Sequence, residues 1–269
     1  MHLAQFALNI LESADIEDKL RAPAGCLEDR RAKVAVPSWP TRSPDLQIVP
    51  AREAGVPKLL GWPDIEQRRR ILHALTNHEL QAVELYARAL LDFDDGPPEF
   101  RRDLLRVVIE EQRHTRSYLG RLEAIGGRFG AYPVSGYFWR KISLMDTPLR
   151  FVCCMSLTFE NANLDHCLES ESVARQAGDE ATARLFAHIR HDEIEHVRFG
   201  WKWLERLKSP TKTMWSAYRE ALLPPLHPGR ASGRNFHPEP RRLAGFDSEF
   251  IDGLLEAHRE RQRSAPRGT

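Results

Sequence analysis

Two pentapeptides of the same form constrain this sequence more than any other feature. EEQRH at residues 110–114 and DEIEH at residues 192–196 each contain two acids, two spacers and a histidine. Each pentapeptide lies within a long run of apolar residues at helical spacing. A glutamate and a histidine three positions apart share one face of a helix, so each pentapeptide directs a carboxylate and an imidazole to the same side. The chain is therefore expected to contain two long helices that carry matched polar groups.

Apolar periodicity, capping residues and glycine stops predict four long helices. Short turns join the first helix to the second and the third to the fourth, which predicts two helical hairpins. The connection between the hairpins, residues 126–146, is far longer than a tight turn requires, and a short helix is expected in it near Trp139. The long helices are predicted over residues 64–93, 98–125, 147–177 and 179–208.

This order of helices and connections predicts the fold class. Two hairpins joined by one long crossover have the connectivity of a ferritin-like bundle, whereas an ordinary up-and-down bundle lacks the crossover. We therefore predict an all-α fold: a ferritin-like four-helix bundle with one long crossover and with N- and C-terminal extensions.

The sequence on either side of the four helices predicts two extensions. The N-terminus has no basic leader, and acids interrupt its apolar residues, so it is interpreted as an amphipathic helix rather than a signal peptide. A proline-rich extended segment follows it, and the final residues, 264–269, are expected to be disordered. The predicted division is 1–62 for the N-terminal helix and extended segment, 63–208 for the bundle, and 209–269 for a C-terminal helical extension and tail.

The amino-acid composition argues against a dedicated nucleic-acid-binding protein and against a membrane protein. The chain has 39 Lys and Arg residues against 38 Asp and Glu residues, which gives little attraction for nucleic acid or an anionic membrane. No segment reaches the ~18 uninterrupted apolar residues of a membrane span. We therefore expect a cytoplasmic protein, monomeric or dimeric, that binds no membrane and for which nucleic acid is a disfavoured partner. Four cysteines lack CxxC spacing and are expected to be buried, reduced thiols: Cys26, Cys153, Cys154 and Cys167.

The face of each pentapeptide indicates that its glutamate and histidine point into the core. Glu111 and His114 share their face with leucines and valines of the second helix, and Glu193 and His196 share theirs with apolar residues of the fourth. An unpaired carboxylate in a bundle core costs several kcal/mol. Each buried glutamate therefore needs partners or a metal ion.

The first and third helices supply further carboxylates with the same layout. Glu79 precedes Glu111 by 32 residues, and Glu160 precedes Glu193 by 33 residues. One glutamate from each of two helices and a Glu-x-x-His from each of the other two form the ligand set of dinuclear iron or manganese sites in bundles. The predicted metal ligands are Glu79, Glu111, His114, Glu160, Glu193 and His196.

The donor types predict which ions this site would bind. Carboxylate oxygens and imidazoles suit iron and manganese, and the absence of well-placed thiolates argues against structural zinc. We expect two metal ions, with iron favoured and manganese or a mixed Mn/Fe pair as alternatives. Glu111 and Glu193 are expected to bridge the ions, with His114 and His196 as terminal ligands.

Acidic residues beside the ligands have a predicted supporting role. Glu110 and Asp192 precede the two inward glutamates and could each accept the free N–H of a ligand histidine, which fixes its tautomer and basicity. Arg113 could pair with such a carboxylate.

Other residues leave alternatives open. Glu84 could replace Glu79 as the ligand of the first helix, although Glu84 lies on a more polar face. Tyr86 and Tyr118 each follow a predicted ligand by seven residues, so they lie two turns away on the same face. These tyrosines either take part in redox chemistry or pack in the core with a satisfied hydroxyl.

Several blocks of the sequence resemble one family of ferritin-like proteins, the domain-of-unknown-function 455 family. The resemblance runs from about residue 60 to about residue 255. It implies a ferritin-like bundle with the metal ligands at the six positions named above, and it implies no substrate. The blocks are HELQAVEL at 78–85, EEQRH at 110–114, FENANLDH at 159–166, DEIEHVRFG at 192–200 and RRLAGFDSEFIDGL at 241–254.

The predicted metal set favours one functional hypothesis over two others. The first is an oxidoreductase that activates O₂ to oxidise or hydroxylate an organic substrate, either a small molecule or a modified macromolecule, with electrons from a reductase or small carrier. The second is a non-enzymatic protein of iron binding or storage. The third is an RNA-modifying hydroxylase, because the repeated motif also resembles, more distantly, dinuclear iron oxygenases and a tRNA-modifying hydroxylase.

Overall fold

A computed structural model describes residues 2–29 and 34–264 of the chain. It is mostly helical, which confirms the predicted all-α fold class. The predicted disorder of residues 264–269 falls outside the described residues, except at Ser264, which ends the last helix. The α-helices are α1 (Leu3–Glu12), α2 (Ile16–Lys19), α3 (Ile65–Asp92), α4 (Pro98–Ala124), α5 (Pro148–Cys154), α6 (Asn161–Gln176), α7 (Glu180–Leu207), α8 (Met214–Ala221), α9 (Pro238–Leu243) and α10 (Ser248–Ser264).

The chain forms two compact units, Met1–Ile142 and Ser143–Thr269. One predicted hairpin lies in each unit: α3 and α4 pack together in the first, and α6 and α7 in the second. The boundaries predicted after residues 62 and 208 stay predictions.

The hairpin of the first unit begins and ends where its capping residues predict. The Asp64 side chain accepts a hydrogen bond from the Gln67 backbone N–H at 2.8 Å, which satisfies one of the free donors at the start of α3. Pro98 occupies the first turn of α4, where a missing N–H costs nothing. Gly126 ends the hairpin with a positive φ of 74°, a conformation that glycine adopts without strain.

The N-terminal part of the first unit packs on this hairpin. Helix α1 contacts α3, and the Arg101 guanidinium of α4 binds the Asp29 carboxylate, with Nη2 2.8 Å from Oδ1. A short parallel pairing joins β1 (Ile48–Val49) to β2 (Val134–Ser135), which the sequence did not predict. The expected short helix near Trp139 is a 3₁₀ helix over Trp139–Leu144.

The second unit departs from the predicted continuous helix over residues 147–177. Thr147 and Pro148 begin α5 as predicted, but a π-helical turn, Met155–Glu160, separates α5 from α6. The Thr158 hydroxyl donates to the Cys153 carbonyl, five residues earlier, at 2.7 Å. This bond takes the place of a regular α-helical contact, so the turn widens.

A tyrosine and a glycine hold the π-helical turn from outside. The Tyr218 hydroxyl of α8 lies 2.9 Å from the Thr158 hydroxyl and is the donor, since Thr158 gives its own proton to Cys153. Gly200 of α7 lies directly against the turn, because a Cβ added at Gly200 would come within 2.5 Å of the Ser156 Cβ. The contact between α7 and the π-helical turn therefore depends on the missing side chain.

Cysteine exposure confirms three expectations and corrects one. Cys153, Cys154 and Cys167 are buried free thiols, and burial raises the pKa of Cys154 to about 12. Cys26 is exposed, so the prediction of a buried thiol there is wrong. It lies in an irregular segment, where apolar periodicity gives no guide to burial. In the described part of the chain, no helix has the length and apolar character to cross a membrane.

Candidate functional site

In the first unit, three of the predicted ligands come together. Glu79 of α3 and Glu111 and His114 of α4 are 5%, 1% and 1% exposed. His114 Nδ1 lies 3.6 Å from Glu79 Oε2 and 3.6 Å from Glu111 Oε2. The hairpin thus directs one imidazole nitrogen towards two carboxylates inside the protein.

The surroundings of Glu111 and His114 on α4 are apolar, as the helical pattern predicts. Side chains on the same face of α4 are at most 1% exposed, so they keep water away from the two polar residues. In such surroundings an unneutralised carboxylate is costly, which favours a cation beside it. These apolar or aromatic residues are Leu104, Val107, Val108, Tyr118 and Leu122.

The second unit repeats this arrangement on α7. Glu193 and His196 are each 1% exposed, and His196 Nδ1 lies 3.5 Å from Glu193 Oε2. The other oxygen, Glu193 Oε1, accepts a hydrogen bond from Asn163 Nδ2 of α6 at 2.8 Å. No hydrogen-bond donor reaches Glu193 Oε2 among the residues that the structure describes.

Glu160, the remaining predicted ligand, ends the π-helical turn in the second unit. Its side chain is 6% exposed, so it is as well buried as Glu79 in the first unit. Glu160 thus lies directly before α6, the first helix of its hairpin, whereas Glu79 lies within α3. π-Helical turns are rare in proteins, and those that occur are frequently found at functional sites.

The geometry within each unit fits metal ligation. Donor atoms that bind one transition-metal ion at about 2.1 Å lie roughly 3–3.5 Å apart, close to the 3.5–3.6 Å between histidine nitrogens and carboxylate oxygens in both units. A direct hydrogen bond would be shorter. Glu111 and His114 in the first unit, and Glu193 and His196 in the second, are buried residues that could hold metal ions.

The three residues predicted to support the ligands lie closer to solvent. Arg113 pairs with Glu110, with Nη2 3.6 Å from Oε1, as the sequence suggested. Asp192 Oδ2 lies 3.9 Å from Nε2 of His188, one turn earlier on α7. In both ligand histidines Nδ1 faces the carboxylates, which leaves Nε2 for an outer partner. Hydrogen bonds from these rings to Glu110 and Asp192 stay predictions.

Glu84, the alternative ligand of α3, has a different set of partners. Its side chain is fully buried, at 0% exposure. Arg42 binds both carboxylate oxygens, at 3.1 and 2.7 Å, and Lys19 Nζ lies 3.1 Å from Oε1. The Trp139 indole N–H donates to Oε2 at 3.0 Å. These contacts favour Glu79 over Glu84 as the ligand of α3.

The charge state of Glu84 follows from these contacts. Burial acts to raise the pKa of Glu84, but Arg42 and Lys19 outweigh burial and hold the pKa below its ordinary value. Glu84 is therefore an anion whose charge is already balanced. Lys19 and Arg42 precede the predicted bundle, so the pattern of α3 alone gave no sign of these partners.

Sequence reasoning missed Asn163 as a residue of the site. A signal was present in FENANLDH, because Asn163 follows Glu160 by three positions and so occupies the same helix face. Tyr86 and Tyr118 are both buried, at 0% and 1% exposure, as the interpretation of core packing requires. A redox role for these tyrosines stays the alternative to core packing.

The fold and these residues define a class: an all-α protein in which each of two helical hairpins carries a buried Glu-x-x-His set. A family model described as "Protein of unknown function (DUF455)" matches residues 9–252. The chain therefore belongs to this family, and the resemblance seen in the sequence is confirmed. Neither a curated protein nor a solved structure matches the chain significantly. The ferritin-like relationship stays a prediction.

Proposed function

We propose that this protein is a dinuclear metal oxidoreductase that uses O₂ to oxidise or hydroxylate an organic substrate. The proposed metals are two iron ions, or one manganese and one iron ion. The ligands are the six residues Glu79, Glu111, His114, Glu160, Glu193 and His196. When bound, such a metal pair supplies O₂ activation, with electrons from a reductase or small carrier.

One observation carries this proposal: each hairpin presents the same buried set of donors. A Glu-x-x-His on the second helix accompanies a buried glutamate on the first, and the distances from histidine to carboxylate agree within 0.1 Å. A single buried Glu–His pair could be an ordinary structural contact. Two copies with the same spacing and burial favour two positions for cations, and four carboxylates match the positive charge of two divalent ions.

The chain's own residues have distinct parts in the proposal. Glu111 and Glu193 would bridge the two positions, and Glu79 and Glu160 would complete the carboxylate set as terminal or bridging ligands. His114 and His196 would be terminal ligands that bind through Nδ1, the nitrogen that faces the carboxylates in both units. Each ring would keep a proton on Nε2, where an outer carboxylate can hold its orientation.

Apolar residues beside the ligands would keep the site dry. In the second unit, α7 buries Phe186, Ile189 and Val197 on the face of Glu193 and His196, each at most 1% exposed. Exclusion of water strengthens the attraction between carboxylates and cations. It also protects a reactive oxidant from side reactions with solvent.

The experiment is metal analysis of the full chain purified in iron-supplemented and manganese-supplemented medium, alongside Glu193→Ala and Glu111→Ala. The matched control is Glu195→Ala, which removes an exposed glutamate of the same pentapeptide that pairs with Arg198. We expect two ions per chain in the wild type and in the control. Each ligand variant should lose at least one of these ions. Equal metal content in all four proteins would refute the ligand assignment.

Reductant-driven O₂ uptake separates the proposed enzyme from its rivals. An oxygenase should retain about two ions per chain and consume O₂ only when an electron donor is supplied. Iron storage would instead oxidise many Fe²⁺ ions per chain without a donor. O₂ uptake that depends on added RNA would indicate the RNA-modifying alternative.

A further inference from the structure

The two hairpins differ at one position beside the predicted ligands. In the second unit, the Asn163 amide donates from Nδ2 to Glu193 Oε1 at 2.8 Å. The thiol of Cys167, one turn later on α6, lies 3.7 Å from the Asn163 Oδ1 and donates to it. The thiol contact occupies the amide oxygen, so the NH₂ group is left to face the carboxylate.

The corresponding residue of the first hairpin cannot make this contact. Asn163 follows Glu160 by three positions, and the residue three positions after Glu79 is Ala82. Ala82 is buried but carries no donor. The two Glu-x-x-His sets are therefore alike in spacing and burial, but the first hairpin carries no amide at the position that Asn163 occupies in the second.

We infer that Asn163 is a positioning residue that makes the two metal positions unequal. This inference rests on the proposed function. By holding Glu193 Oε1, Asn163 turns Oε2 towards His196 Nδ1, 3.5 Å away. Within the described part of the chain, no donor forms a hydrogen bond with Oε2. The carboxylate then meets a cation with its orientation already fixed.

The physical consequence is a difference in affinity between the two positions. Hydrogen bonds that orient a ligand typically change metal affinity by about 10- to 100-fold. The position that includes Glu193 and His196 should therefore fill first and empty last. Unequal positions of this kind would also allow the chain to hold two different metals, because each position imposes its own coordination on the ion.

The test uses Co²⁺ alone as the probe, added to the metal-free full chain and followed through its visible absorption bands. The variants are Asn163→Ala, which copies the residue of the first hairpin, and Asn163→Asp, which keeps the shape of the side chain but removes the NH₂ donor. Ser172→Ala, an exposed substitution on the same helix, is the control. Release of Co²⁺ to a chelator gives the second readout.

The wild type and the Ser172→Ala control should bind two Co²⁺ ions in two phases that differ at least 10-fold in affinity. In both Asn163 variants the Co²⁺ affinity of the tighter phase should fall by about 10- to 100-fold. The intensity of the Co²⁺ absorption should also change, because the Glu193 carboxylate is no longer held by the amide. A folding defect alone would lower the amount of Co²⁺ bound without altering the spectrum per ion.

Two outcomes overturn the inference in distinguishable ways. If the wild type binds two ions and the Asn163 variants keep both phases and the same spectrum, Asn163 does not position Glu193, and the proposed function survives. If the metal-free wild type takes up no Co²⁺ at all, the proposed function fails, and the inference fails with it.

Discussion

Arg241 and Asp165 form a bidentate ion pair that is buried in the second unit. Nη1 lies 2.9 Å from Oδ1, Nη2 lies 2.9 Å from Oδ2, and both side chains are 0% exposed. Arg241 also donates to the backbone carbonyls of Asn161 and Ala231. The pair ties the C-terminal segment to α6, the helix that begins directly after Glu160.

Breaking this pair should destabilise the protein strongly. Arg241→Ala leaves the Asp165 carboxylate buried without its cation, which typically costs about 3–5 kcal/mol in the free energy of unfolding. The neighbouring Arg242→Ala removes an exposed pair with Glu239 and should cost at most about 1 kcal/mol. Urea denaturation of both variants measures the difference. Equal losses would show that the buried pair adds nothing beyond a surface contact.

Gly200 should tolerate no side chain, because α7 lies so close to the π-helical turn. In Gly200→Ala the new Cβ would meet the Ser156 Cβ at 2.5 Å, so the backbone must shift, at a cost of roughly 1–3 kcal/mol in stability. Gly120 of α4 is the control, since nothing lies within 4 Å of its added Cβ. Gly120→Ala should gain up to about 1 kcal/mol by its better helix propensity. The Tm of Gly200→Ala should therefore fall, and the Tm of Gly120→Ala should rise. Shifts of similar size in the same direction would contradict this prediction.

The buried imidazole of His73 should make stability depend on pH. Burial, aided by the charge of Arg128, lowers the pKa of His73 from 6.5 to about 4. The ring is 2% exposed, and its Nε2 accepts a hydrogen bond from the Gly130 N–H at 3.0 Å, which requires the neutral form. Between pH 6.5 and 4 the unfolded chain therefore takes up a proton that the folded chain does not.

The sign of this effect follows from linkage. The contribution of His73 to stability is complete above pH 6.5 and declines as the pH falls towards 4, by roughly 2–3 kcal/mol. His73→Gln offers an amide oxygen to Gly130 but does not titrate, so its stability should change less over this range. Unfolding free energies of both proteins at several pH values provide the comparison. Parallel curves between pH 6.5 and 4 would contradict the prediction.

Local patterns in the sequence predicted the hairpins well, because their causes are local. The Asp64 cap, Pro98 in the first turn and the stop at Gly126 place the ends of α3 and α4 within a residue of the prediction. The inward phase of Glu111 and Glu193 also follows from helix geometry, and both residues are buried as predicted.

Features that depend on distant partners could not be predicted in this way. The π-helical turn arises where the Thr158 hydroxyl bonds both the Cys153 carbonyl and Tyr218, 60 residues further along the chain. The burial of Glu84 depends on Arg42, 42 residues earlier in a segment without periodicity. Polar residues on a helix face usually indicate that the face is exposed to solvent. This indication fails where a distant segment of the chain covers the face and supplies opposite charges.

A crystal structure of metal-replete protein, with anomalous diffraction recorded at the iron and manganese edges, would show whether the six side chains bind two ions. We expect two transition-metal ions about 3.5–4 Å apart, the usual separation in two-metal sites. Their ligands should be Glu79, Glu111, His114, Glu160, Glu193 and His196. The ligand assignment would be contradicted if the anomalous maps showed no metal at these side chains, or showed ions only elsewhere.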